Sequence, residues 1–62
     1  MNFAANFKRA RTELGLSQVE LAKKIGIDQR SISDYETGRL PRIARMPVIA
    51  RALNISIDEL VK

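Results

Sequence analysis

Glycines divide this chain at nearly equal intervals, which strongly limits what it can fold into. Gly15, Gly26 and Gly38 lie 11 or 12 residues apart. Apolar residues recur between them at spacings of three and four, the period of an amphipathic helix. Because glycine readily takes the positive φ angle found just after a helix, each interval predicts a short helix with a defined end. We therefore expect a single all-α domain over residues 1–62.

Five short helices follow from this pattern, each with an apolar face directed at a common core. The expected core residues, from the first helix to the fifth, are Phe3, Phe7, Ala10 and Leu14; Leu21, Ala22 and Ile25; Ile32 and Tyr35; Met46, Ile49, Ala50 and Leu53; and Leu60 and Val61. The aromatic residues share this helical spacing, which favours core positions over platforms that stack on single-stranded nucleic acid.

Capping residues indicate where the helices begin and end. Ser17 and Ser56 each open a Ser-x-x-Glu sequence, the pattern of a capping box in which the two residues exchange hydrogen bonds. Asp28 is expected to cap the third helix, and Asn54 to end the fourth. Pro47 is compatible with the fourth helix only in its first turn, where a missing N–H does little harm.

The second and third helices are joined by about three residues around Gly26. Such a short connection does not suit a long antiparallel hairpin, but it suits two helices that cross at ~90–120°, the geometry of a helix-turn-helix. Ala22 is small where the third helix would cross the second, and isoleucines on both sides of the turn can hold the two together. These features predict a helix-turn-helix over about residues 17–36.

The composition excludes several classes of function. Cysteine and histidine are both absent, so the chain cannot form a zinc finger, a disulfide framework or a Cys/His catalytic pair. A domain of this size has little room for an enclosed substrate pocket, and no apolar run approaches the ~18 residues of a membrane span. We therefore expect a cytoplasmic binding module, with no enzymatic activity, metal, cofactor, small-molecule ligand or membrane association.

The surplus of positive charge lies in one segment. Eleven lysines and arginines outnumber seven acidic residues, which gives a net charge of +4. Residues 37–57 include no acidic residue and four arginines, so this segment alone carries +4: Arg39, Arg42, Arg45 and Arg51. Its first part, 37–42, predicts a loop. Arginines clustered in this way favour phosphate binding, and the alternative is a loop that only aids solubility.

These motifs together resemble the XRE/Cro-type helix-turn-helix family, and within it the branch of the phage 434 repressor and Cro. The resemblance covers nearly the whole chain and is more specific than any one motif, because many short matches occur at fixed spacing. It rests on Leu14-Gly15-Leu16-Ser17-Gln18, Glu20-Leu21-Ala22, Ser31-Ile32-Ser33, Glu36-Thr37-Gly38, Met46-Pro47, Ile49-Ala50-Arg51-Ala52-Leu53 and Ser56-Ile57-Asp58-Glu59-Leu60. It implies a compact five-helix, lambda-repressor-like domain whose third helix enters the major groove of double-stranded DNA.

The resemblance assigns base reading to the outward side of the third helix, at Gln29, Arg30, Ser33 and Asp34. Glutamine pairs with adenine N6 and N7, arginine pairs with guanine O6 and N7, and aspartate accepts from cytosine N4. The 434 branch carries glutamines where Arg30 and Asp34 stand, so the operator sequence should differ. The alternatives are a solvated face, a surface for an acidic protein, or an Arg30–Asp34 pair of ~0.3–0.5 kcal/mol.

Contacts to the DNA backbone are implied around this helix, at Gln18, Arg11, Thr37, Arg39, Arg42 and Arg45. Gln18 opens the second helix, where backbone N–H groups and the helix dipole favour an anion. In the 434 branch an arginine approaches the narrow minor groove from the position that Ala44 occupies in this chain. Arg42 or Arg45 would have to take over that role.

An internal ion pair is implied as well. Arg11 and Glu36 stand where the 434 branch joins the first helix to the end of the third. We expect this pair to position the third helix and Arg11 also to face a phosphate. Its net contribution to stability is small, because the cost of desolvation opposes the attraction.

These implications favour a Cro-like or phage-type repressor that binds a pseudo-palindromic operator as a homodimer, with its two recognition helices ~34 Å apart. Dimer contacts are implied for the edge of the fourth and fifth helices, at Arg45, Pro47, Val48, Ile57 and Glu59. So small a patch predicts a weak dimer that assembles mainly on DNA.

Because Met1 opens the chain and the fifth helix nearly ends it, we expect a minimal repressor, with a domain of a longer repressor as the alternative.

The competing interpretation is a protein-interaction module, such as an antitoxin or an adaptor with the same fold. Val19 and Val48 are apolar and expected to be exposed, which suits a protein partner. Specific binding to DNA distinguishes the two interpretations.

Overall fold

The computed structural model describes residues 2–62, and these residues form five α-helices and no β-strand. The helices are α1 (Phe3–Glu13), α2 (Gln18–Ile25), α3 (Gln29–Glu36), α4 (Met46–Leu53) and α5 (Ile57–Val61). A 3₁₀ turn at Ile43–Arg45 leads directly into α4. The predicted all-α fold, with a helix-turn-helix formed by the second and third helices, is confirmed.

The turn between α2 and α3 has the predicted backbone conformation. Gly26 adopts a left-handed φ of 87°, and its N–H bonds to the Ala22 carbonyl at 2.8 Å. The Ile27 N–H bonds to the same carbonyl at 2.9 Å. Two bonds to one carbonyl close the end of α2 and turn the chain sharply toward α3. Asn54, with φ of 60°, ends α4 in the same left-handed region, which asparagine tolerates.

The two predicted capping boxes differ. At Ser17 both bonds are present: the Ser17 hydroxyl accepts from the Glu20 N–H at 3.0 Å, and Glu20 Oε1 accepts from the Ser17 N–H at 2.8 Å. At Ser56 the hydroxyl accepts from the Glu59 N–H at 3.1 Å, but within residues 2–62 no return bond from the Ser56 N–H to the Glu59 side chain is formed. A complete second box was predicted, and only half of it is formed.

Asp28 also differs from its expected role. It occupies the N-cap position of α3, but its side chain makes no capping hydrogen bond. The first turn is closed by the backbone instead, because the Asp28 carbonyl accepts from the Ser31 N–H at 3.0 Å.

The core contains three aromatic residues packed against aliphatic side chains from all five helices. Phe3 and Phe7 lie 5.5 Å apart between ring centroids, and both approach Tyr35 edge-on, at 6.1 and 5.8 Å. The other buried apolar residues are Ala10, Leu21, Ala22, Ile32, Ile49, Ala50, Ala52, Leu53 and Leu60. The prediction that the aromatic residues belong to the core is confirmed.

Two residues of the first segment depart from the predicted core. Leu14 is 40% exposed: it lies at the C-cap, one residue past Glu13, the last residue of α1. Asn6 is buried, although it is polar: its Nδ2 donates to the Leu60 carbonyl at 3.1 Å, and its Oδ1 accepts from Arg9 Nη2 at 2.9 Å. These bonds attach α1 to α5 and satisfy an amide that would otherwise be costly to bury.

The packing of the helices determines what α3 presents to solvent. α3 packs against α1 and α2, while α2 also packs against α4. α1 in turn packs against α4 and α5. Ile32 and Tyr35 are therefore buried between helices, and the N-terminal residues on the other side of α3, Gln29 and Arg30, are exposed.

Candidate nucleic-acid interface

The outward side of α3 is exposed in its first turn and half-buried in its second. Gln29 and Arg30 are exposed in the first turn, whereas Ser33 and Asp34, one turn later, are half-buried. Glutamine and arginine each present paired hydrogen-bonding groups that match purine edges. Of the four residues predicted to read bases, the first two are therefore the most accessible, and the other two lie closer to the body of the domain.

Asp34 is paired with Arg39 rather than with Arg30. Arg39 Nη1 donates to Asp34 Oδ2 at 3.3 Å, and the Arg39 N–H bonds to the Asp34 carbonyl at 3.0 Å. The Thr37 hydroxyl donates to the carbonyls of Ser33 and Asp34, at 3.1 Å each. The alternative of an Arg30–Asp34 pair is not formed; the chain turns after α3 and brings Arg39 back to this carboxylate.

A partly buried polar network joins the end of α3 to α1 and α2. Arg11 Nε lies 2.6 Å from Glu36 Oε2, and Arg11 Nη2 donates to Glu36 Oε1 at 3.2 Å. Arg11 Nη1 donates to the Leu16 carbonyl at 2.7 Å, and Gln18 Nε2 donates to Glu36 Oε1 at 3.1 Å. The side chains of Arg11 and Glu36 are only 11% and 5% exposed. This geometry suits a group of residues that positions α3.

The network limits what Arg11 and Gln18 can offer to a phosphate. Three nitrogens of Arg11 already donate within the protein, so only part of its guanidinium faces outward. The Gln18 amide nitrogen is bonded to Glu36, but Gln18 is also the first residue of α2, where backbone N–H groups have no partner in the helix. An anion at this point would meet the backbone as well as the side chain.

Three exposed arginines follow α3 and form what we call the arginine surface: Arg39, Arg42 and Arg45. They line one concavity of about 260 Å³ together with Tyr35, Leu40 and Pro41. Arg45 Nη1 donates to the Tyr35 hydroxyl at 3.0 Å. This bond was not predicted, because no local pattern relates two residues that are ten positions apart across a loop. Arg51 lies apart from the concavity, on α4.

The residues expected at a dimer interface are all exposed: Arg45, Pro47, Val48, Ile57 and Glu59. Val48 and Ile57 are 43% and 41% exposed, so each offers apolar surface to a partner. Ile43, in the 3₁₀ turn, is 88% exposed, and sequence reasoning did not single it out. An apolar side chain this exposed is a candidate contact residue in its own right.

The capping box at the start of α2 changes the acidity of one residue. The Ser17 backbone N–H donates to the Glu20 carboxylate and lowers the pKa of Glu20 below its ordinary value of about 4.5, with a further lowering from the Ser17 side chain. Glu20 is therefore ionised at neutral pH and complements the positive end of the helix dipole.

The described part of the chain has neither a metal site of clustered carboxylates nor a membrane-spanning helix. Residues 2–62 bring together no group of three or more acidic side chains that would hold a metal ion. Within the same residues, no helix has the length and apolar character that crossing a membrane requires.

Comparison with known proteins identifies the family. A helix-turn-helix family model matches residues 7–60. The uncharacterized HTH-type transcriptional regulator y4dJ of Sinorhizobium fredii is 40% identical over 58 residues, which are 92% of this chain and 75% of that protein. The cryptic phage CTXphi transcriptional repressor RstR of Vibrio cholerae is 38% identical over 61 residues, or 97% of this chain and 54% of the repressor.

A third relative, the uncharacterized HTH-type transcriptional regulator YqaE of Bacillus subtilis, is 34% identical over 61 residues, 97% of this chain and 53% of its own length. The chain thus spans three quarters of the first relative and about half of the other two. None of these matches distinguishes the phage 434 branch, which stays a prediction. The match over most of the chain, on a structure with the corresponding α2–turn–α3 unit, shows that this chain belongs to the XRE-type helix-turn-helix family of DNA-binding, non-enzymatic transcriptional regulators.

Proposed function

We propose that this chain represses transcription by binding a pseudo-palindromic operator in double-stranded DNA. The observation that carries the proposal is the exposed N-terminal turn of α3, with Gln29 and Arg30, beside the arginine surface. A helix end with purine-matching side chains suits the major groove, and a neighbouring basic surface suits the phosphates that border it. The relative from the cryptic phage is named a transcriptional repressor, which supports repression over activation.

Base reading falls to α3 in this proposal. Gln29 pairs with an adenine and Arg30 with a guanine, while Asp34 accepts from a cytosine amino group and Ser33 makes an adaptable contact. The Asp34–Arg39 pair supports a secondary role for Asp34, since its carboxylate already has a cationic partner. Gln29 and Arg30 therefore carry most of the sequence discrimination.

Backbone contacts come from both sides of α3. Gln18 and the start of α2 bind one phosphate, with Arg11 behind them, and the arginine surface and Thr37 bind others. The exposure of Arg39, Arg42 and Arg45 supports this assignment. Arg42 or Arg45 would approach the minor groove near the operator's centre, since Ala44 has no charge to offer.

The operator is bound by a homodimer, through the edge formed by Arg45, Pro47, Val48, Ile57 and Glu59. The exposed apolar surface of Val48 and Ile57 supports this edge, and its small extent supports a dimer that is weak without DNA. No cofactor or small-molecule ligand enters the mechanism. The chain acts where the DNA is, which in a bacterial cell is the cytoplasm.

Selection of bound sites from random double-stranded DNA tests the proposal. We expect the selected sites to contain two inverted half-sites, and we expect fluorescence titration of a selected site to show affinity that falls steeply between two salt concentrations. Weak binding that is the same for all sequences, with no protected site in footprinting, would contradict it. That result would favour the alternative, an antitoxin-like or adaptor module that uses exposed residues such as Val19 and Val48 to bind a protein.

A further inference from the structure

Tyr35 has two distinct environments. Its ring belongs to the core: the residue is 3% exposed and packs edge-on against Phe3 and Phe7. Its hydroxyl lies at the edge of that core, where it accepts a hydrogen bond from Arg45 Nη1 at 3.0 Å. Tyr35 thus connects the buried side of α3 to the 3₁₀ turn that leads into α4.

The partner of Arg45 differs in charge from that of Arg39. Arg39 is paired with the Asp34 carboxylate, which compensates its charge. Arg45 is held by a neutral phenol, so its full positive charge remains available beside the concavity that all three arginines line. The bond to Tyr35 uses one of the five N–H donors of the guanidinium, and the remaining donors suffice for a forked contact to a phosphate.

Holding an exposed arginine in place has a consequence for binding. A long, flexible side chain loses rotamer freedom when it binds a phosphate, and this loss weakens affinity. A side chain that is already held by a buried anchor loses less. The Tyr35 ring is fixed by its core contacts, so its hydroxyl is such an anchor for Arg45.

We propose that Tyr35 is a positioning residue for DNA binding, whose hydroxyl holds Arg45 so that Arg45 binds one backbone phosphate beside the other arginines of the arginine surface. The proposal rests on the proposed function, because the phosphate belongs to double-stranded DNA. It adds a role for a core residue that does not itself need to touch DNA.

The test is Tyr35→Phe, which keeps the ring and removes the hydroxyl. We expect an unfolding temperature close to that of the unchanged chain and an affinity for an isolated half-site of the selected operator about three- to tenfold lower, the effect of ordering one long side chain. The dependence of affinity on salt should not change, because no charge is lost. On the isolated half-site, which one protomer binds, Arg45→Ala should by comparison make the negative slope of log affinity against log salt shallower by about 0.9, since one phosphate contact disappears.

Double variants give the matched controls. In an Arg45→Ala background, Tyr35→Phe should have no further effect on affinity, because the side chain that it positions is gone. In an Arg30→Ala background, it should still lower affinity about three- to tenfold. An equal loss in the Arg45→Ala background would overturn the proposal, since Tyr35 would then act on α3 and not through Arg45.

If the Tyr35→Phe variant does not fold, Arg45→Lys provides a second test of the positioning role. Lysine keeps the charge, but its single ammonium group lacks the planar fork that can bind the hydroxyl and a phosphate at once. We expect the same three- to tenfold loss with an unchanged salt dependence, and affinity equal to that of the unchanged chain would overturn the proposal. If the unchanged chain binds no operator, the proposed function itself fails. If it binds and Tyr35→Phe binds equally well, only the positioning role fails.

Discussion

Arg11 donates hydrogen bonds from three nitrogens, and their acceptors lie on two separate parts of the chain. Two bonds reach Glu36 at the end of α3, and one reaches the Leu16 carbonyl just before α2. One side chain therefore sets α3 relative to both α1 and α2. Because the pair is nearly buried, removing one partner leaves a charged or polar group without compensation in a medium of low dielectric.

Breaking this pair should destabilise the fold. We expect Arg11→Met and Glu36→Gln each to lower the free energy of unfolding by about 3–5 kcal/mol, the usual cost of removing one member of a buried pair. Denaturant unfolding measures this, and operator affinity should fall as α3 loses its support. Replacing both residues with methionine is the control and should cost less than either single change. If both single variants kept the melting temperature and the DNA affinity of the unchanged chain, the network would not position α3.

A second prediction at the scale of the residue separates base reading from phosphate binding. Arg30→Ala should lose ~1–3 kcal/mol of binding free energy at one base position and relax specificity there. Arg42→Ala should weaken binding to every sequence and make the salt dependence shallower by about 1 for each half-site. Titration against a set of operators, each altered at one position, measures both effects. Loss of discrimination in Arg42→Ala, together with a uniform loss in Arg30→Ala, would reverse the two assignments.

At the scale of the element, α2 begins with a complete capping box, while α5 begins with half of one. The Ser17 hydroxyl and the Glu20 carboxylate each accept a backbone N–H, so two of the unpaired donors at this helix end are satisfied. We expect Ser17→Ala to lower the free energy of unfolding by about 1 kcal/mol. A change without effect in denaturant unfolding would mean that water replaces the cap at no cost.

The Glu20 side of the box should make stability depend on pH. Its pKa is lower in the folded chain than in the unfolded one, because the Ser17 N–H donates to its carboxylate. The stabilisation of the folded chain by the ionised Glu20 carboxylate is therefore complete above the ordinary pKa of about 4.5. It is lost as pH falls through the lower pKa of the folded chain. Glu20→Gln is the matched control, and its deficit in unfolding free energy at neutral pH should shrink as the solution is acidified below pH ~4. A deficit that stays constant across this range would contradict the assignment.

For the whole molecule, the central expectation is a dimer that forms on DNA. Val48→Asp or Ile57→Asp should weaken binding to the full operator, because each places a charge where the partner's apolar surface would lie. Binding to an isolated half-site should not change. Gel shifts on both DNA fragments measure this.

An extra ~5 base pairs between the half-sites should also abolish dimeric binding, since the second recognition helix would then face the wrong side of the duplex.

The same prediction has a built-in control in Val19, which is apolar and exposed but lies on α2, away from the proposed interface. Because Val19 follows Gln18 at the phosphate-binding start of α2, Val19→Asp should weaken binding to the half-site and to the full operator alike, whereas the interface variants should weaken only binding to the full operator. Equal losses for Val19→Asp and Val48→Asp on the isolated half-site would show a general effect of negative charge on DNA binding. In that case the edge of α4 and α5 would not be the dimer interface.

The helices and their ends were largely determined by the sequence alone, because the interactions that form them are local. Helical periodicity, a capping serine and a glycine with positive φ all act within one or two turns of chain. Where a local rule was extended too far, it failed: Leu14 was placed on the core face although α1 ends before it, and Asp28 was expected to cap with its side chain. The outward positions of Gln29 and Arg30 also follow from local periodicity.

Contacts between distant segments were decided only by the tertiary structure. Asn6 and Leu60 are 54 positions apart, and no pattern in the sequence indicates that an amide on α1 meets a carbonyl on α5. Arg45 and Tyr35 meet across a loop, and Asp34 takes Arg39 as its partner when the chain folds back after α3. The sequence determined which residues carry charge and which lie on a helix face. The fold decided which of those charges meet, because a side-chain hydrogen bond forms only when packing brings its two atoms within about 3 Å.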